Sequence, residues 1–221
     1  MTHDPKLIIF GAGGHGKVVA DVALQRGHDV AGFVDDDVAH GAVARLPGAV
    51  LGDRAWLCGA PRNAYRVALG IGDNYARMAV AKFLHLEGIE VATIISPFAV
   101  VSPSVRIGNG SVIMPGALVN AMAIIGEGVI VNTGAVVEHD AIVGDYAHLS
   151  PNSTLGGGVE VGEFAHIALG ATVLPAIRIG SRSILGAGSV ATRMIPDGVI
   201  AFGVPARVRR GVVFKQEKRS A

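Results

Sequence analysis

The sequence predicts a two-part fold, a small α/β domain over residues 1–90 and a parallel β-helix over 91–210, followed by a basic C-terminal tail over 211–221. Three observations predict it. Aliphatic residues recur at every sixth position from Ile95 to Leu185 without a slip. Glycine recurs every eighteenth residue at Gly108, Gly126, Gly144, Gly162 and Gly180. An apolar run, "KLIIF", leads into a glycine-rich turn, "GAGGHGK", and then a helical stretch.

In chain order, "KLIIF" reads as the first strand. "HGKVVADVALQRG" reads as a helix with Val18, Val19, Val22 and Ala23 on one face and Gly27 at its C-terminal cap. "DVAGFVDDD" is a second strand ending in three carboxylates. The turn between them carries Gly11-x-Gly13-x-x-Gly16, where backbone N–H groups at a helix N-terminus suit a phosphate. "YRVALGIGDN" supplies a further strand, and "NYARMAVAKFLHLEG" a helix capped by Asp73 or Asn74 and stopped by Gly88. The glycine pattern with Asp35 about twenty residues on suggests a dinucleotide. A domain of this size lacks the second mononucleotide half, so the expectation is a Rossmann-like half domain holding one nucleotide. The competing reading is a tight strand–helix turn with no ligand.

The hexad defines the second part. Each hexad is a short strand plus a turn, and three close one triangular coil. The aliphatic residue points inward and stacks on its copy in the next coil, with strands about 4.8 Å apart. Small or β-branched residues four positions on, such as Ala117, Ala135 and Ser153, complete the interior. The eighteen-residue glycines suit backbone positions that need φ > 0. A narrow prism also explains the low aromatic content and the high mean hydropathy.

Composition excludes several classes. Lys and Arg number 19 and Asp and Glu 18, so no whole-chain basic field points to nucleic acid. The basic cluster "RVRRGVVFKQEKRSA" reads as a solvated tail, with a partner site touching a phosphate as the alternative. Cys58 is the single cysteine, which excludes an internal disulfide and a cysteine zinc cluster and fits a cytoplasmic protein. "MTHDPKLIIF" lacks the features of a signal peptide. Every apolar run is interrupted before membrane-spanning length, so no membrane partner is expected.

The stretch "VVEHDAIVGDYAHLS" places two histidines on the repeat. Val137 and Val143 are inward positions, so His139 and His148 face outward or lie at a corner. His139 shares a column with Ala121, Gly157 and Pro175, which leaves space beside its ring. His148 stacks on His166. Both are expected to be outside the core, with a solvated histidine as the alternative to a functional one.

The hexad pattern, ending in "GVPAR", resembles the left-handed β-helix of the hexapeptide acyltransferase superfamily, typically homotrimers that bind acyl-CoA between neighbouring prisms. With "IIFGAGGHGKVVAD", "GFVDDD", "GIGDNYAR" and "VNTGAVVEHDAIVGDYAHLSP", nearly the whole chain resembles the sialic-acid and bacillosamine-type sugar acetyltransferases, many of which N-acetylate nucleotide-linked amino sugars. The resemblance implies an acetyl-CoA-dependent enzyme in which His139 is the general base, Asp140 orients it and Gly157 supplies an oxyanion N–H. It further implies that the turn around Gly13, His15 and Lys17 faces the phosphates, that Asp35 and Asp36 contact ribose or base, and that Asn132 lies near the acceptor sugar. It implies His148 at the thioester end of the coenzyme, with His166, Ile167, Gly170, Gly186 and Ala187 along the pantetheine and adenine cleft. The acceptor implied is a nucleotide-linked 4-amino-4,6-dideoxy sugar. Three alternatives remain open at the level of sequence: a sugar O-acetyltransferase, a non-catalytic nucleotide-binding trimer, and a zinc enzyme on the same fold. The zinc enzyme needs a histidine pair about five apart that the chain lacks.

Overall fold

A computed structural model of the chain describes residues 5–37, 48–61 and 64–212. Most of the tail expected over 211–221 lies outside the described residues. The front part runs β1 (Lys6–Phe10), α1 (Gly14–Gln25), β2 (Val30–Val34), β3 (Val50–Gly52), α2 (Arg54–Gly59), β4 (Tyr65–Leu69) and α3 (Asn74–Leu86). The four strands form one parallel sheet in the order β3-β2-β1-β4. Leu7 to Phe10 are all buried, as a parallel strand covered on both faces requires. The chain crosses from β2 and β3 on one side of β1 to β4 on the other, and such a reversal opens a crevice at the carboxyl ends of the strands.

Glycine makes the first turn possible. A Cβ on Gly11 would lie 2.8 Å from the Gly70 carbonyl oxygen, and one on Gly70 would lie 2.7 Å from the Gly16 α-carbon. These three backbones interlock where β1, α1 and β4 meet. Gly13 and Gly14 face open space instead. Asp73 caps α3, its carboxylate accepting from the N–H groups of Tyr75 and Ala76. Gly27 sits in the left-handed region one residue past the α1 C-cap, Arg26.

From Ile94 onward, two-residue strands close a triangular prism with parallel faces of five, six and eight strands, the eight-stranded face ending in an antiparallel hairpin, Val199–Gly203 with Ala206–Gly211. The registers step by eighteen residues, for example Ile124↔Ile142, Val136↔Thr154 and His148↔His166. The hexad residues from Ile113 to Leu185 form one buried aliphatic column, with Ile95, Val101 and Ile107 partly exposed at its open end. This is the left-handed parallel β-helix. Burying each Val, Ile or Leu contributes about 1.5–3 kcal/mol relative to leaving it exposed.

The eighteen-residue glycines have a different cause from the one expected. Gly108, Gly126, Gly144, Gly162 and Gly180 are not at positive φ. A Cβ on Gly144 would meet the Glu163 nitrogen at 2.6 Å, one coil away. Close stacking of coils excludes a side chain there. The left-handed residues are the second members of the turns, and they include Asp140 (φ 60°), Tyr146 and Phe164 as well as Gly128, Gly158 and Gly170.

The front domain docks on the eight-stranded face through α1. On that face the outward row runs Ile94, Val112, Ile130, His148, His166. Residues Ala12, Val19 and Ala23 pack with Ile94, Val112 and Ile130 in one buried cluster. The two histidines continue the row where this cover ends.

Candidate active site

The crevice of the front sheet is a cavity of about 480 Å³ lined by Gly13, Gly14, His15, Asp35, Asp36 and Arg54, with Ile71 and Gly72 from the turn after β4. The open N-terminus of α1 therefore faces the cavity with unencumbered glycines, an arrangement suited to an anion. The two carboxylates are already engaged. Asp35 accepts from the Ala12 N–H at 2.7 Å and from the Asp37 N–H at 2.9 Å, so it holds the glycine turn against β2. Asp36 is paired with the Arg54 guanidinium, whose hydrogen bonds hold the carboxyl below the usual carboxylate range. Arg54 also lies over the Phe83 ring, 5.1 Å from its centroid. Lys17 is exposed and does not line the cavity, contrary to the expectation that it faces the phosphates. It lies one turn into α1, beyond the glycines.

His15 starts α1 and points inward. Its Nε2 is buried and has no hydrogen-bond partner among the described residues. Burial, reinforced by the Arg77 cation, pushes its pKa down to about 4. Its ring lies 6.4 Å from that of His148.

The outward row differs from expectation in being covered. His148 stacks on His166 with centroids 4.9 Å apart and planes 12° from parallel. Both are half-buried. Burial pushes the His148 pKa down to about 3, helped by His166, Arg77 and His15, while a backbone hydrogen bond at Gly72 opposes the shift. His166 is lowered by burial and Arg77. His148 Nε2 lies 3.2 Å from Asn132 Nδ2, and His166 Nε2 lies 2.8 Å from Ser150 Oγ. Asn132 and His148 thus come together, beside His15 of the front cavity. Ile167 is fully buried in the prism core, so its side chain cannot line a coenzyme cleft as expected. Hexad phase dictates this, since Ile167 is one of the inward residues. Gly170 faces open space and Ala187 is exposed, whereas Gly186 is backed by Phe202.

His139 sits elsewhere, on the turn between the six- and five-stranded faces. Its Nδ1 lies 2.8 Å from Asp140 Oδ2, and the two side chains are 64% and 65% exposed. The Asp140 hydrogen bond raises the His139 pKa. Stacking of turns is direct: Asp140 N donates to Ala121 O, and Gly158 N to His139 O. The imidazole lies across Gly157, where a Cβ would stand 2.6 Å from Nε2. The Gly157 N–H reaches no acceptor among the described residues. A paired imidazole, an adjacent free N–H and open space together form an arrangement able to take a proton and stabilise an oxyanion.

Sequence reasoning missed Arg54, Ser150 and Arg77. Only Arg77 had a signal, as the last residue of "GIGDNYAR". Among the described residues no group of three or more His, Cys, Asp or Glu is arranged to hold a metal ion. No described helix is long and apolar enough to cross a membrane.

Comparison with known proteins converges on one family. Residues 6–84 match the PglD N-terminal domain, and residues 122–157 match the bacterial transferase hexapeptide repeats. The structure of PerB from Caulobacter crescentus, solved with CoA and GDP-perosamine, is 42% identical over 92% of this chain and 97% of PerB, with a TM-score of 0.88. The acetyltransferase domain of PglB from Neisseria gonorrhoeae, in complex with acetyl coenzyme A, is 36% identical over 94% of this chain and all of that domain, with a TM-score of 0.87. WeeI from Acinetobacter baumannii is 26% identical over 92% of this chain and 99% of WeeI, with a TM-score of 0.84. Sharing both halves and more than a third of its residues with PerB and PglB, the chain belongs to the hexapeptide-repeat, acetyl-CoA-dependent N-acetyltransferases of nucleotide-linked amino sugars.

Proposed function

We propose that the chain transfers the acetyl group of acetyl-CoA directly to the amine of a nucleotide-linked 4-amino-4,6-dideoxy sugar, acting as a cytoplasmic homotrimer. GDP-perosamine, the ligand in the PerB structure, is the first acceptor to try. The nucleotide occupies the front cavity, its phosphates at the N-terminus of α1 and its ribose or base toward Asp36 and Arg54. Asn132 and His148 line the way out of that cavity for the sugar. Acetyl-CoA runs along the groove between prisms, past the open backbone at Gly170 and Ala187.

The single observation that carries the reading is the Asp140–His139–Gly157 arrangement. Asp140 holds Nδ1 and leaves Nε2 to accept the amine proton as nitrogen attacks the thioester carbonyl. The Gly157 N–H takes the resulting oxyanion. Collapse expels the CoA thiolate, which recovers the proton from His139.

The front cavity lies against the corner between the five- and eight-stranded faces, one prism side from His139. Six residues of strand and turn span roughly 15–20 Å, too far for a sugar to bridge within one chain. The cavity that serves His139 therefore belongs to a neighbouring protomer. Met122, Ile124 and Ile142 flank the His139 turn and are exposed on the single chain, which supports a covered face there.

Release of free thiol from acetyl-CoA, measured with a panel of nucleotide 4-amino sugars, tests the reading. His139→Ala should lose about 10²–10⁴-fold in turnover with the trimer and acetyl-CoA binding intact. Near-wild-type turnover in that variant would rule out His139 as the base.

A further inference from the structure

Arg77, on α3, is 1% exposed, the largest fully buried side chain among the described residues. Its guanidinium reaches both halves of the molecule. On the front side Nη1 donates to the carbonyls of Ile71 (3.1 Å) and Gly72 (3.0 Å), two residues of the nucleotide cavity. On the prism side Nε donates to Gly128 O at 2.7 Å and Nη2 to Tyr146 O at 2.9 Å. Nη2 also donates to Asn74 Oδ1 at 2.9 Å, and the Asn74 amide in turn donates to Phe164 O at 3.0 Å. Gly128, Tyr146 and Phe164 are one turn position in three successive coils, and Tyr75 stacks on Phe164 with centroids 4.9 Å apart.

None of the acceptors is a carboxylate, so burying this cation is a poor way to gain stability. Burial pushes its pKa down to about 10, and it remains protonated at neutral pH. An apolar side chain would fix one domain on the other at lower cost. A planar fork with five donors fixes direction as well as contact. It determines where the Ile71–Gly72 turn, and hence the cavity wall, stands relative to the prism. Gly72 also carries the backbone bond to His148, and a Cβ on it would lie 4.0 Å from that of His15.

We propose that Arg77 is a positioning residue that aims the nucleotide cavity, so that a bound sugar leaves it along the path to the acetyl-transfer turn. The inference rests on the reading of the chain as a nucleotide-aminosugar acetyltransferase. It predicts a separation that a purely structural role does not give. The groups that line the cavity all belong to the front domain and Arg77 is not one of them, so the nucleotide should still bind when Arg77 is changed. Chemistry should suffer, because a misplacement of about 1 Å can cost about a hundredfold in rate.

The test uses Arg77→Lys and Asn74→Leu in the full chain. Asn74→Leu removes one acceptor of the fork and its companion tie to Phe164, and keeps the test open should Arg77→Lys fail to fold. Binding of GDP and UDP is measured by calorimetry, turnover by thiol release, and thermal stability alongside. Arg77→Lys should keep Kd for the nucleoside diphosphate and KM for acetyl-CoA within about threefold while kcat falls about tenfold or more, with a smaller fall of the same kind in Asn74→Leu. A variant that melts earlier but turns over normally below its melting point overturns the inference, as does one that loses nucleotide binding along with turnover. A wild-type chain that binds nucleotide but releases no thiol with any acceptor overturns the acetyltransferase reading and, with it, this one.

Discussion

At His139 the ring is held from one nitrogen and open at the other. Asp140 achieves this from a left-handed backbone position, φ 60°, which glycine occupies at Gly158 in the next coil. A non-glycine residue there costs of order 1 kcal/mol or more, and Asp is among those that tolerate it best. The carboxylate raises the His139 pKa, so the protonated imidazole, which cannot accept a proton, persists to higher pH. kcat/KM should rise with pH through that pKa. Asp140→Asn removes the charge and should move this acid limb to lower pH while lowering the plateau about tenfold or more, since the tautomer is no longer fixed. A pH–rate profile with an unmoved acid limb would show that the pair does not form in the working enzyme. Gly157→Ala isolates the other partner. No left-handed backbone forbids alanine there, but its Cβ would stand 2.6 Å from Nε2 and the ring must shift. Turnover should fall about a hundredfold with the melting temperature little changed. Full turnover in soluble Gly157→Ala would mean that the ring is not used where it stands.

The elements of the prism were readable because one number, six, fixes which side chains point inward, and nothing in the rest of the chain competes with it. The same phase placed His139 on a turn and stacked His148 on His166. It could not show that α1 and the Gly72 turn lie over His148, because hexad phase separates inside from outside and says nothing about what covers the outside. Nor could it separate glycines that permit positive φ from glycines that admit a neighbouring coil, since both recur every eighteen residues. The helix caps were legible, as at Asp73, because a cap is local. Asp36 meeting Arg54 was not, because they stand eighteen positions apart with a strand between them. The covered histidines carry a consequence for stability. His15 and His148 have folded pKa values of about 4 and about 3, below the ordinary value of 6.5, and His166 is lowered too. Between pH 6.5 and 4 the unfolded chain takes up protons that the folded chain refuses. Stability should be level with respect to these groups above pH 6.5 and fall below it, by up to about 1.4 kcal/mol per pH unit per histidine. Urea unfolding at pH 7.5 and pH 5 checks this. His148→Gln should flatten the dependence, and an equally steep slope in that variant would assign it to other groups.

At the scale of the whole molecule the proposed site is divided between two corners of the prism. The front domain clamps the corner of Gly128, Tyr146 and Phe164, while His139 lies on the next corner round, across the five-stranded face. If each site joins the base of one protomer to the cavity of its neighbour, two inactive chains should repair each other. Gly13 offers a clean way to disable the cavity: its Cβ meets nothing within 4 Å, so Gly13→Leu projects into the space meant for nucleotide without disturbing the fold. His139→Ala disables the base alone. Neither homotrimer should turn over. After joint refolding at equal amounts, a site works only where an intact His139 from one variant faces an intact cavity from the other, which random assembly gives in about a quarter of sites. Activity near a quarter of wild type, appearing only after subunits exchange and absent when the trimers are mixed without exchange, is the expected result. Sites built within one chain would give none, because every chain in the mixture lacks either the base or the cavity. The outcome thus decides whether the trimer is required for chemistry or merely for stability, and it does so without depending on which nucleotide sugar the enzyme prefers.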